Sequence, residues 1–317
     1  MKTLYIHPPD DHPAHIDWAN SIKADFLEYT DPQSPVQSLI NLINSAKLPD
    51  YDTYLITGIE QAFLKHPKHM IYLAADEYLL THTLGIPFIQ SSYKTSLLKS
   101  LLSKLDACIT ISKFMYDNII DFLSCPVYIV NPHIPDDIYD KLYSLQPDLN
   151  THNILFIGRN HPINGISILI KSFNILLKDY PDSHLYIIGK NHVQYDHPNI
   201  HTLGYVSDFI PFIRRTSLFV MPGYGQAFCT AVTETMLAGL PAIVTNYTGA
   251  KEIVSQLNKD FVTTTDPHDI ASAICKYFDM SSKKKLKLSH KAKQLAKPFN
   301  KYNSCKRFKN IFNEIII

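Results

Sequence analysis

Glu234 lies early in a helix-period run that begins near Thr230 and follows the tight stretch Pro222-Gly223-Tyr224-Gly225-Gln226-Ala227-Phe228-Cys229. A loop feeding a helix start aims several backbone N–H groups and the positive end of the helix dipole at one point, which makes a seat for a phosphate. A carboxylate just inside that helix can accept hydrogen bonds from a sugar hydroxyl. The run continues through Met236-Leu237-Ala238-Gly239-Leu240-Pro241 into the apolar stretch Ala242-Ile243-Val244-Thr245. The local reading is strand end, loop, helix and buried strand. Glu234 alone could equally be a carboxylate favoured by the helix dipole.

The elements that must position this seat read as α/β. Apolar runs of strand length alternate with helix-period segments. Strands are expected near 2–7, 53–57, 69–74, 107–111 and 127–130, then near 153–158, 184–189, 218–222 and 242–245. Between these two sets, residues 144–152 are mostly polar, turn-prone and without periodicity, as a linker would be. The expected domains are therefore 1–148 and 149–298. Residues 299–317 form a terminal helix, with Cys305, Phe308, Ile311, Phe312, Ile315 and Ile316 at helical spacing.

Composition narrows the function classes. A chain of 317 residues with 45% hydrophobic content can bury two cores. It has no 18-residue apolar run, and its first residues are too polar for a secretory core, so a membrane span and a secretory signal are not expected. Five scattered cysteines without a Cys-x-x-Cys pair argue against a disulfide framework or a zinc site, and fit a reducing, cytoplasmic setting. The formal net charge of +1 divides into −8 over residues 1–150, −1 over 151–280 and +10 over 281–317. An acidic first half argues against a nucleic-acid groove there, because phosphate contacts need Lys and Arg.

The run from Pro222 to Pro241 resembles the signature of retaining, nucleotide-sugar-dependent glycosyltransferases of the GT-B fold, family 4. That signature is Pro-Ser, a short gap, Glu-Gly-Phe-Gly, four residues, Glu-Ala-Met-Ala, one residue, Gly, one residue, Pro. The spacing agrees from Gln226 to Pro241, with Gln226 in place of the first Glu and Ala227 and Cys229 in place of two glycines. The stretch Ile154-Leu155-Phe156-Ile157-Gly158-Arg159, followed by Asn164-Gly165, is similar to the family's Gly-Arg…Lys-Gly segment, in which Arg and Lys neutralise the donor diphosphate. Arg159 is kept, and its planar fork suits two phosphate oxygens. The lysine position is Asn164, which supplies no charge. The strand turn at Gly189 and the stretch Leu203-Gly204-Tyr205-Val206 resemble the base-binding loop. Thr248-Gly249-Ala250-Lys251-Glu252 stands where the family has a Gly-Gly turn and a Glu.

The resemblance implies two Rossmann-like domains facing a cleft, with the last helix crossing back to the first domain. It implies a nucleoside-diphosphate sugar on the second half and a glycan, lipid-linked or small-molecule acceptor on the first, with no metal and no cofactor. The implied donor-site residues are Gly158, Arg159, Asn164, Gly189, Tyr205, Val206, Phe228, Cys229, Thr230 and Glu234. Arg159, Gln226 and Glu234 are the implied catalytic groups, and Asp76, at the end of the third strand, joins them as the polar candidate nearest the reacting carbon. Asp76 could instead cap a helix. Two rival functions stay open: a non-catalytic or weakened sugar-nucleotide binder, and a GT-B nucleotide-sugar epimerase.

The first half is less specific. His7, Asp10, Asp11, His12, His15 and Asp17 follow the first strand, and a polar acceptor loop is the preferred reading over a metal site. Leu97, Leu98, Leu101, Leu102 and Leu105 form one helical face, read as core-facing rather than membrane-facing. The lysine-rich stretch 283–297 reads as a solvated helix face, with peripheral contact at the inner membrane face as its other reading.

Overall fold

The computed structural model describes residues 1–29, 50–63, 67–75, 77–85 and 95–317. It divides into two compact units, Met1–His133 with Lys301–Ile317, and Ile134–Asn300.

The first unit holds strands β1 (Thr3–His7), β2 (Asp25–Glu28), β3 (Thr53–Ile56), β4 (His69–Ala74), β5 (Ala107–Thr110) and β6 (Val127–Ile129). They form one parallel sheet in the order β2-β1-β3-β4-β5-β6. The inner strands β3, β4 and β5 read as unbroken apolar runs because both faces of a parallel sheet are covered. Helices α1 (Pro13–Ser21), α2 (Glu77–Leu84), α3 (Thr95–Leu102) and α4 (Lys113–Ile119) supply cover. Helix α1 starts where His12 accepts from Ala14 N–H and Pro13 occupies the first turn. Helix α3 packs on the short 3-10 turn Ile59–Phe63 and buries Leu98, Leu101 and Leu102, with Leu105 buried just beyond it. This is the core-facing helix expected from the leucine spacing; the side chain of Leu97 lies outside the described residues.

The second unit holds α5 (Asp136–Tyr143), β7 (Ile154–Ile157), α6 (Ile166–Leu176), β8 (Leu185–Ile188), β9 (Ile200–Gly204), α7 (Ile210–Arg214), β10 (Leu218–Met221), α8 (Thr230–Leu237), β11 (Ala242–Thr245), α9 (Lys251–Leu257), β12 (Val262–Thr263), α10 (Pro267–Phe278) and α11 (Ser282–Ala296). Its sheet is also parallel throughout, in the order β12-β11-β10-β7-β8-β9. The linker-like stretch 144–152 lies within this unit and is tied down. Asp148 N–H donates to Arg214 O at 3.0 Å, Ser282 Oγ to Asn150 Oδ1 at 2.8 Å, and Lys293 Nζ to Tyr143 O and Leu145 O at 2.8 and 2.5 Å. The chain leaves the first unit earlier, before α5, because α5 packs on α8.

The lysine-rich stretch is not simply a solvated face. Lys283, Lys284 and Lys287 are exposed, but Lys285 is buried, with its ammonium 5.3 and 5.9 Å from the Tyr277 and Phe278 ring centres. Burial lowers the pKa of both Lys285 and Lys293.

Helix α12 (Lys301–Ile315) belongs to the first unit and packs on α1. The Trp18 indole donates to Ser304 Oγ at 2.8 Å and stacks on Phe308 at 5.4 Å, and the Ser304 hydroxyl donates to Asn131 O at 2.8 Å. Lys301 pairs with Asp17 at 2.8 Å. Phe308, Ile311 and Phe312 are buried, each contributing roughly 1.5–3 kcal/mol.

Candidate functional site

In open parallel sheets, ligands sit outside the carboxyl ends of the strands where the strand order reverses. In the second unit that reversal falls between β7 and β10. The loop after β7 carries Gly158, Arg159 and Asn164; the loop after β10 carries Gln226, Phe228 and Cys229 and feeds α8 with Thr230 and Glu234. The sequence-predicted donor residues are thus gathered along the carboxyl edge of one sheet.

Backbone bonds knit these loops side by side. Gly158 N–H donates to Ile188 O at 2.9 Å, Gly189 N–H to Gly204 O at 2.8 Å, and Tyr224 N–H to Ile163 O at 2.7 Å. Gly249 N–H donates to Gln226 O at 2.8 Å, and Ala250 N–H to Phe228 O at 2.9 Å, joining the β10 loop to the turn after β11. Two glycines are dictated by close approach. A Cβ on Gly165 (φ +67) would lie 1.9 Å from Pro222 O, and one on Gly189 (φ +150) would lie 1.9 Å from Gly158 O.

Arg159 is exposed at the rim of this edge. Its own carbonyl accepts from His161 N–H at 2.9 Å and from Asn164 Nδ2 at 2.7 Å, so the turn that carries it is fixed. Asn164 is 5% exposed, and its other amide atom, Oδ1, accepts from Gln226 Nε2. Both of its amide atoms are therefore committed within the protein. Burial, then Arg159, push the pKa of the neighbouring His161 down.

Cys229 precedes α8 with φ 77 and ψ 86, in the left-handed region. The backbone keeps a glycine-like conformation that the cysteine must occupy under strain. Helix α8 has no side-chain cap and no acidic residue in its first turn, so its first N–H groups keep their positive end. Glu234 is half-buried on that helix. Desolvation, and then the charge of Asp137 on α5, raise its pKa to about 7. Among the described residues nothing donates a hydrogen bond to its carboxyl. Phe228 is 2% exposed and meets Phe299 at 5.8 Å, so it shapes the loop from within. Tyr205 is 71% exposed beyond Gly204, with Lys190 Nζ 5.4 Å from its ring centre, while Val206 is half-buried.

Sequence reasoning missed His192. Its Nε2 lies 2.7 Å from Gly158 O and, since a carbonyl only accepts, must donate to it, tying the β8 loop to the Arg159 turn. No spacing singles it out among fifteen histidines.

In the first unit, the polar residues after β1 are largely occupied with one another. Burial pulls the Asp11 pKa up, but His15, Tyr5 and the His12 N–H outweigh it and leave it lowered. His15 Nδ1 lies 2.8 Å from Asp11 Oδ1, and His133 Nε2 lies 3.0 Å from Asp17 Oδ2. No group of three or more metal-holding side chains occurs among the described residues. Gln61, following β3, is 6% exposed, and neither of its amide atoms has a hydrogen-bond partner among the described residues. Asp76 lies outside the described residues.

Solved structures share this architecture over the whole chain. Sucrose-phosphate synthase from Thermosynechococcus elongatus matches with a TM-score of 0.76 at 12% identity, covering 99% of each chain. Anabaena Alr3699/HepE, solved with UDP and glucose, matches with a TM-score of 0.71 at 14% identity, again covering 99% of each. The fold is GT-B. Residues 151–279 match the family model described as Glycosyl transferases group 1. Among curated proteins, the capsular polysaccharide biosynthesis glycosyltransferase CapM of Staphylococcus aureus is 25% identical over 221 residues, 66% of this chain and 56% of CapM. A glycosyltransferase of Methanocaldococcus jannaschii, MJ1069, is 22% identical over 250 residues, 71% of this chain and 62% of that protein. The chain thus spans less than two thirds of the length of either relative. No helix among the described residues is long and apolar enough to cross a membrane.

Proposed function

We propose that the protein is a glycosyltransferase that moves a sugar from a nucleoside-diphosphate donor, held by the second unit, to an acceptor hydroxyl presented by the first. The observation that carries this reading is the convergence of Arg159, the uncapped start of α8 and Glu234 at the reversal point of the second sheet. Arg159 and the helix N-terminus meet the diphosphate and stabilise the charge it gathers as it leaves. Glu234, a carboxyl to which no described residue donates a hydrogen bond, receives the ribose hydroxyls. Tyr205 and Val206 cover the base. Retention of anomeric configuration by same-face substitution is what the signature resemblance implies. Anabaena Alr3699/HepE was solved with UDP-glucose, which favours a uridine donor. The buried amide of Gln61, without a hydrogen-bond partner among the described residues, favours a hydroxyl-bearing acceptor on the first unit.

The reading is tested by calorimetry after a thermal-shift screen of UDP-, GDP- and ADP-sugars. Arg159→Ala and Glu234→Ala are each expected to weaken donor binding by roughly 1.5–3 kcal/mol, about one to two decades, with the fold intact. Unchanged binding in both variants removes the site. The strained Cys229 and the neutral Asn164–Gln226 contact favour a second reading, a sugar-nucleotide binder without turnover. An acceptor-free hydrolysis assay separates the two. Isomerised sugar in that assay would instead point to an epimerase.

A further inference from the structure

Arg159 is exposed, yet the two peptide planes that flank its Cα are both held. The plane after it is held at each end: Arg159 O accepts from His161 N–H at 2.9 Å and Asn164 Nδ2 at 2.7 Å, and Asn160 N–H donates to Lys190 O at 2.9 Å. The plane before it begins at the carbonyl of Gly158. That oxygen is gripped from the loop after β8 by His192, whose Nε2 lies 2.7 Å away. Rotation about both φ and ψ of Arg159 is therefore resisted, on one side by its own loop and on the other by a histidine from a neighbouring one.

The loop after β8 reaches this carbonyl at a local cost. It runs beside residues 158–160, with Gly158 N–H donating to Ile188 O at 2.9 Å and Asn160 Nδ2 to Asn191 O at 3.0 Å. Gly189 lets the two backbones meet, since a Cβ there would lie 1.9 Å from Gly158 O and 3.1 Å from Arg159 N. Asn191 then turns the chain with φ 65, a left-handed conformation that asparagine tolerates better than most residues but that is still unfavourable. The turn sets the half-buried His192 ring edge-on to Phe156, 5.8 Å between centres at 86°. With the proton on Nε2, Nδ1 of the neutral ring is an acceptor. It is buried and has no hydrogen-bond partner among the described residues, which is destabilising. An approach only glycine allows, a left-handed asparagine and an orphaned ring nitrogen thus converge on one carbonyl. Unfavourable local features gathered around a single group mark a functional constraint more than a packing need.

We infer that His192 is a positioning residue for Arg159: it locks the Gly158–Arg159 peptide from the neighbouring loop, so that the guanidinium starts from one fixed backbone geometry at the carboxyl edge of the sheet. The consequence for binding rests on the proposed donor site, whereas the ordering of the turn is a property of the free protein. An arginine on a loose turn gives up both backbone and rotamer freedom when it meets an anion. On a locked turn it gives up rotamer freedom alone. His192 acts here through Arg159 and not by touching a ligand. Asn164 holds the opposite plane, so the two side chains work as a pair from either side of one Cα.

His192→Phe keeps a ring against Phe156 but removes the donor, and His192→Gln restores an N–H donor without the ring. In the ligand-free protein, 15N relaxation is expected to show a rigid Arg159 amide in the parent, with an order parameter of about 0.85. In His192→Phe that value is expected to fall below about 0.6, and His192→Gln is expected to recover much of the loss. UDP is the binding probe, with melting temperature monitored for every variant. His192→Phe is expected to weaken UDP binding about three- to tenfold, and to add nothing once Arg159→Ala is present. An Arg159 amide as rigid in His192→Phe as in the parent would overturn the assignment. So would additive losses in the double variant, or a lowered melting temperature with unchanged UDP affinity. A parent protein that binds no UDP, or binds it regardless of Arg159→Ala, would instead remove the donor site, and the relaxation measurement then still decides whether His192 orders the turn.

Discussion

At the scale of single residues, Glu234 carries a pH signature. Its pKa is about 7 in the folded protein against an ordinary value of 4.5. Between those values the folded state binds more protons than the unfolded one, so stability falls as pH rises from 4.5 to 7 and then levels. Glu234→Gln is expected to flatten that slope, read from denaturant midpoints across the interval. Hydroxyl donation from a bound nucleotide sugar favours the ionised form, so binding near pH 6.5 is expected to release a proton. Calorimetry in two buffers of different ionisation enthalpy reads that release directly, and zero release would separate Glu234 from the ligand. Cys229 carries a second signature. A non-glycine residue in its conformation costs on the order of 1–3 kcal/mol, more than the roughly 0.5–1 kcal/mol that glycine's extra chain freedom costs. Cys229→Gly is therefore expected to raise the melting temperature of the second unit. Cys229→Ile, β-branched, is expected to lower it.

At the scale of elements, the close approach of two loops makes Gly165 and Gly85 an informative pair. Both have positive φ, +67 and +63, but only at Gly165 would a Cβ meet backbone, at 1.9 Å from Pro222 O. Gly85→Ala is expected to cost about 1–3 kcal/mol, and Gly165→Ala clearly more, with loss of donor binding because the Arg159 turn moves off the β10 loop. Equal costs in thermal melts would contradict the contact. The same elements show what a sequence can disclose. The strands expected from apolar runs are present within a residue or so of their ends, from β3 at Thr53 to β11 at Thr245. The strands not anticipated, β2, β9 and β12, all lie at sheet edges. Strand β2 is paired on one side only and carries the polar Asp25 and Glu28, so it leaves no apolar run to read, whereas the edge strand β6 keeps one. The loops after β7 and β10 were legible as loops because glycines and a helix start are dictated by local geometry. The Asn164–Gln226 contact was not, because it joins residues far apart in sequence through side chains whose types alone suggested lost charges.

At the scale of the whole molecule, the basic excess of the last residues does not act as one block. Most of it lies on α11 and Lys297 in the second unit, whereas α12 in the first is held chiefly by Trp18, Phe308 and Phe312. Deleting residues 301–317 is expected to lower the melting of the first unit while the second melts unchanged, with little dependence on salt. A strong salt dependence would assign the attachment to charge instead. Since the first unit is closed by residues that follow the entire second unit in the chain, it also has a history. On a ribosome, residues 134–300 take roughly ten to thirty seconds to emerge, at ordinary synthesis rates. Throughout that interval the indole of Trp18 and the face of α1 have been made but their cover has not. The half of the protein that is born first is the half that is finished last, and it is the one that must be sheltered from aggregation while translation runs on.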